Sequence, residues 1–123
     1  MSYVVDFRND RGNSIKSMRR EYYDYNLALA HLYRYVNDQD HVNDYIQGIA
    51  IESEDNPDLI LLHRCGNKNE SGWAFDYPYS KQRAKSELKR ALKQRIKQAE
   101  VCCCFGRDIY LEIDILKDTL GED

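Results

Sequence analysis

The sequence predicts an α+β fold: a mostly antiparallel sheet of about five strands with two long helices on one face. Three observations lead there. An apolar three-and-four rhythm runs through residues 14–36, and a second runs through 84–99. Around and between them, apolar and polar residues alternate at the two-residue period of strands. The order reads β-α-β-β-β-α-β. A chain of 123 residues, with no repeat and no shift of composition, fits a single α+β domain over 1–123.

Taken in order, Tyr3, Val5 and Phe7 alternate with Val4, Asp6 and Arg8, which predicts a first strand. Asp10, Gly12 and Asn13 supply a turn, and Asn13 or Ser14 is placed to cap a helix. Ile15, Met18, Tyr22, Tyr25, Leu29, Leu32 and Val36 then predict a helix over 14–36. Residues 45–53 and 58–65 read as two strands joined by the turn EDNP. Ile60, Leu61 and Leu62 are apolar in both parities, so the second of these strands should be central. Trp73, Phe75, Tyr77 and Tyr79 alternate with smaller or polar residues, and Pro78 marks a strand end or edge. Ser80 is a suitable N-cap for a helix with the stripe Ala84, Leu88, Ala91, Leu92, Ile96 and Ala99, and Gly106 would stop it. Ile109, Leu111, Ile113 and Ile115 predict a last strand.

Hydrophobic residues make up 42% and charged residues 32%, the balance of a folded, water-facing chain. The opening apolar run breaks at Asp6, too short for a secretory signal, and no later stretch suits a membrane span. The four cysteines are Cys65 and the consecutive Cys102, Cys103 and Cys104, a spacing unlike a disulfide framework. The expectation is a cytoplasmic protein.

The second helix concentrates positive charge. Between Ser80 and Lys97 stand eight Lys or Arg and one acid, Glu87, while the whole chain has a formal net charge of −3. Such a patch can bind phosphates whatever the overall charge, because the contacts release counterions. Lys81, Gln82, Arg83, Ala84 and Lys85 resemble the K-K-x-A-K opening of the second helix in double-stranded-RNA-binding domains. Helix, three strands, helix over residues 14–98 is also that family's topology. The resemblance implies RNA or DNA binding with Lys81 and Lys85 facing phosphates, and the basic helix itself adds Lys89 and Lys93 as candidate phosphate contacts. In place of the family's Gly-Pro-x-His loop stands ESEDNPD, whose Glu52, Glu54, Asp55 and Asp58 would oppose a duplex.

Other chemistries find less support. Zinc needs four converging ligands, usually from paired C-x₂₋₄-C knuckles, and the triple cysteine offers none. His63 and Cys65 would share a strand face, and a thiol- or metal-dependent enzyme built on them ranks third. The segment NDQDHVND (Asp38, Asp40, His41, Asp44) lacks the turn glycine and downstream glutamate of a calcium loop. With no phosphate cradle, nucleophile elbow or dinucleotide fingerprint, the sequence predicts no enzyme, no cofactor and no metal site.

Tyrosine is the last signal. Ten occur, and Tyr22, Tyr23, Tyr25, Tyr33 and Tyr35 crowd the first helix. Tyr23, Leu27 and Arg34 form a line off the main stripe, and Tyr35 lies on another. Tyrosine and arginine are enriched at protein interfaces. Tyr23, Leu27, Arg34 and Tyr35 are therefore the expected partner-binding residues, and a homodimer through helix 14–36 is an expected assembly. The leading functional expectation is a small, acidic, non-enzymatic binding protein that occupies a macromolecular partner. An inhibitor or accessory protein of the immunity, antitoxin or anti-defence kind fits that description.

Overall fold

The structure, a computed structural model, describes residues 2–37, 46–64, 73–101 and 106–121. Its fold class is the expected one, a five-stranded antiparallel sheet packed against helices. The strands are β1 (Tyr3–Arg8), β2 (Arg20–Tyr22), β3 (Gly48–Glu52), β4 (Ile60–Arg64) and β5 (Trp73–Phe75). They lie in the order β2-β1-β3-β4-β5, so β3 is the central strand, and β4, expected to be central, is an inner strand between β3 and the edge strand β5. The helices are α1 (Tyr25–Asn37), α2 (Lys81–Val101) and α3 (Gly106–Leu120).

The strand alternation decides which side of the sheet is dry. Val5, Phe7, Ile49, Ile51, Ile60, Leu62, Trp73 and Phe75 join one buried cluster with residues of all three helices. The opposite parity carries Asp6, Arg8, Glu52 and His63, so the helices gather on one face and leave the other polar.

Two elements differ from the sequence expectation. Residues 14–24 are not α-helical. Asn9 accepts hydrogen bonds at its side chain from the amides of Arg11 and Asn13, and Gly12 turns the chain at φ +77°. The chain then runs back along β1, with the Ile15 amide donating to Phe7, a 3-10 turn at Lys16–Met18, and β2 paired to β1 in the register Tyr3↔Tyr22. The outer edge of β1 needs backbone partners, and this segment supplies them. Ile15, Met18 and Tyr22 still face the core, so their three-and-four spacing carried burial without carrying helix. The helix begins after Asp24, whose carboxylate caps it by accepting from the Asn26 amide at 2.7 Å.

The segment predicted as a last strand is α3. Ile109, Ile113 and Leu116 are buried, whereas Leu111 is 61% exposed. The stripe at 109, 113, 116 and 120 is helical, and only the longer window reveals it. Gly106 starts this helix instead of ending the previous one, and Gly121, at φ +71°, terminates it.

α1 becomes the central element, touching the sheet on one side and α2 and α3 on the others. That enclosure explains its wide apolar surface. Leu27, Ala28, Leu29, Ala30, Leu32, Tyr33 and Val36 are all buried within the chain. α2 behaves as its stripe predicts: Ala84, Leu88, Ala91 and Leu92 are buried, and the Ser80 hydroxyl caps it by accepting from the Arg83 amide at 3.1 Å.

Candidate interaction surface

β2, α1 and α3 meet around a half-open cavity of about 310 Å³. β2 contributes Arg20 and Tyr22 by its two-residue alternation. α1 contributes Leu27, Ala30, His31, Arg34 and Tyr35 through the helical spacing of one face, and α3 adds Ile115. Three of the four expected partner residues, Leu27, Arg34 and Tyr35, are thereby brought together.

The aromatic rings hold one another in place. Tyr22 shares a 2.8 Å hydrogen bond with His31 Nδ1, and His31 stacks on Tyr35 with centroids 5.6 Å apart. Phe7 packs edge-on to Tyr35 at 5.5 Å, and Tyr35 packs edge-on to Trp73 at 6.5 Å. Burial pushes the Tyr22 and Tyr35 hydroxyls above the ordinary tyrosine pKa, so both stay protonated, although the positive charge of Arg20 pulls each the other way. Arg34 donates through Nε to Thr119 at 3.1 Å and through a terminal nitrogen to Asp118 at 2.7 Å.

Around the cavity the expected residues take different places. Leu27 is only 7% exposed and is spent on internal packing. Tyr23 is 66% exposed. Its neighbour Asp24 and α3's Glu112 both bind Arg95, and Tyr23 lines a separate cleft with these residues and Ile109, while Tyr110 and Leu111 of α3 are also exposed. Of the residues expected at a homodimer through 14–36, Leu27 is therefore internal, while Tyr23 and Arg34 stay exposed and Tyr35 is half-buried.

The basic helix divides into two sets. Lys85, Lys89 and Lys93 are exposed along one ridge, with Arg90 and Lys97 also on the surface, while Lys81 is half-buried. Arg95 is only 9% exposed and belongs to the internal ion pairs. Arg83 pairs with Glu87 and lies over the Tyr79 ring, 4.7 Å from its centroid. Glu87 in turn accepts hydrogen bonds from Tyr25 and Tyr79, and burial followed by this carboxylate pushes the Tyr25 hydroxyl far up. The acidic turn lies beside the first turns of this helix, since Asp58 and Arg83 line one cleft. Two of its acids are already engaged, Asp58 with Arg8 at 2.9 Å and Glu52 with Arg19 at 3.9 Å.

His63 pairs with Asp76 across the β4–β5 ladder. Cys65, expected on the same strand face, lies outside the described residues, as do Cys102, Cys103 and Cys104 and the acidic segment 38–44. Among the described residues no group of three His, Cys, Asp or Glu is placed to hold a metal, and no helix is long and apolar enough to cross a membrane.

Sequence reasoning missed Arg20, Tyr22 and His31 as cavity residues, and Tyr110 and Leu111 as exposed ones. Arg20 and Tyr22 sat inside a segment read as helix, and the α3 residues inside one read as strand. Comparison with protein-family models, with curated proteins and with solved structures gives no match.

Proposed function

We propose that this chain is a small non-enzymatic binding protein that acts by occupying a protein partner, an inhibitor or accessory factor of the immunity, antitoxin or anti-defence kind, working in the cytoplasm. The observation that carries the reading is the arginine- and tyrosine-lined cavity, on a chain that also exposes Tyr23, Tyr110 and Leu111. Interface hot spots concentrate in tyrosine and arginine anchors beside well-packed pockets. Exposing such rings just before α1 and on α3 costs solvation that a partner would recover.

The test compares the chain as bait in its native host with a Tyr23→Ala, Leu111→Asp variant. Both positions are well exposed, so folding should survive. Truncation at a hot spot costs at least about 2 kcal/mol, roughly a thirtyfold loss of affinity. The captured partner should therefore disappear from the variant and persist with Lys85→Glu. Equal capture by both variants would remove this surface from consideration.

A second reading, nucleic-acid binding through α2, is favoured by the exposed ridge of Lys85, Lys89 and Lys93, which spans about 12 Å at the helical rise. Three phosphate contacts would give a log–log salt slope of about −3. The expected result is no binding of duplex RNA or single strands tighter than about 100 μM at physiological salt, the level of weak non-specific contact. Glu54 and Asp55, exposed on the acidic turn, oppose the same ligand. Sub-micromolar binding lost in Lys85→Glu with Lys89→Glu would reverse the ranking.

A further inference from the structure

We propose that the cavity between β2, α1 and α3 is a binding site for one anionic group carried on an aromatic ring, presented by a protein partner. The chemistry comes from the cavity itself, and only the source of the ligand rests on the protein-partner reading above.

Charge is the first argument. Arg20 and Arg34 enter from different elements, and no Asp or Glu is among the residues lining the cavity. Arg8, Arg19, Arg34, Arg83 and Arg95 each have a carboxylate partner. Arg20 has none among the described residues, yet its charge reaches both Tyr22 and Tyr35. An arginine fork matches a carboxylate or phosphate by two parallel hydrogen bonds. Arg34 spends two of its five donors on Thr119 and Asp118, which fix its position.

Shape and polarity are the second argument. Leu27, Ala30 and Ile115 make part of the wall apolar, and the His31–Tyr35 stack adds ring surface. A bare inorganic anion would leave that wall unused and lose its hydration without compensation. A ring carrying the charge buries its body against the apolar wall and turns the anion to the guanidinium groups. About 310 Å³ lies at the small end of ligand pockets, room for one ring and its charged group.

The experiment titrates the whole chain with phenyl phosphate, phenol and inorganic phosphate, following backbone amide shifts by NMR. Phenyl phosphate should shift Ala30, His31 and Ile115 and bind at least tenfold tighter than phenol or inorganic phosphate. Arg20→Gln should weaken it at least tenfold with an unchanged melting temperature, while Lys85→Gln should leave it unaltered. Equal affinity for inorganic and phenyl phosphate, shifts elsewhere, or indifference to Arg20→Gln would overturn the site. A short peptide bearing phosphotyrosine separates the sources: tighter binding than phenyl phosphate supports a protein-borne group, and equal or weaker binding overturns that source. If phenyl phosphate binds while the Tyr23→Ala, Leu111→Asp variant still captures the partner, the site stands and the surface reading falls.

Discussion

Replacing Arg95 with methionine is expected to cost about 3–5 kcal/mol of folding stability, the range for removing one partner of a buried ion pair. Arg95 is 9% exposed and joins three elements. Its Nε donates to Glu112 of α3 at 2.9 Å, and a terminal nitrogen donates to Asp24, the residue that caps α1. Methionine fills much of the same volume but leaves two partly buried carboxylates facing each other without a cation. At about 4 °C per kcal/mol for a chain this size, the melting temperature should fall by about 12–20 °C. Thermal unfolding followed by circular dichroism measures it. Adding Asp24→Asn and Glu112→Gln should recover part of the loss, because the neutral trio no longer buries unpaired charge. A fall under 3 °C would show that water already solvates these groups and that the three elements are held by apolar packing alone.

That arginine also shows where a sequence is legible and where it is not. Periodicity reports burial reliably: Tyr25, Leu29, Leu32 and Val36 face inward, as does the stripe from Ala84 to Ala99. It reports conformation less well when the window is short. Ile15, Met18 and Tyr22 keep the helical spacing while lying on a 3-10 turn and an edge strand, because the free edge of β1 claims their backbone. Ile109 to Ile115 keeps the strand spacing inside a helix, with Leu111 turned outward. The cavity depends on both misread segments, which hide Arg20, Tyr22 and Ile115. Leu27, Arg34 and Tyr35 on the correctly expected helix are legible, whereas His31 on that helix carries no such signal. Charge has the same ambiguity. In sequence Arg95 is one more cation of a basic helix, whereas in the fold Asp24 and Glu112, distant along the chain, close around it.

Asp6→Ala is the second large expected effect, a loss of about 2–3 kcal/mol at pH 7. Asp6 stands on the polar face of the sheet yet is only 3% exposed, covered by Ser14, Arg8 and Glu52. Burial on its own would raise its pKa, but hydrogen bonds from Ser14, Glu52 and Arg8 and the charge of Arg19 outweigh it and hold the carboxyl below its ordinary range. Glu52 moves the other way, raised by burial first and then by its hydrogen bond to Asp6 and the Asp6 charge, against Arg19 and Arg8. The signs follow from linkage. The contribution of Asp6 is present above its unfolded pKa and is lost as acid protonates it. That of Glu52 is present below its unfolded pKa and is lost as pH rises through its raised value. Glu52→Gln keeps a donor for Asp6 and removes the second negative charge. Its stability should equal the parent's near pH 4 and exceed it at pH 7 by a few tenths to about 1 kcal/mol, the scale of a partly exposed charge pair. Urea unfolding of parent, Asp6→Ala and Glu52→Gln at pH 4, 5.5 and 7 measures all three. A Glu52→Gln difference that does not grow with pH would mean the two carboxyls do not share a proton, and an Asp6→Ala loss under 1 kcal/mol would mean that Arg8 and Ser14 find other partners.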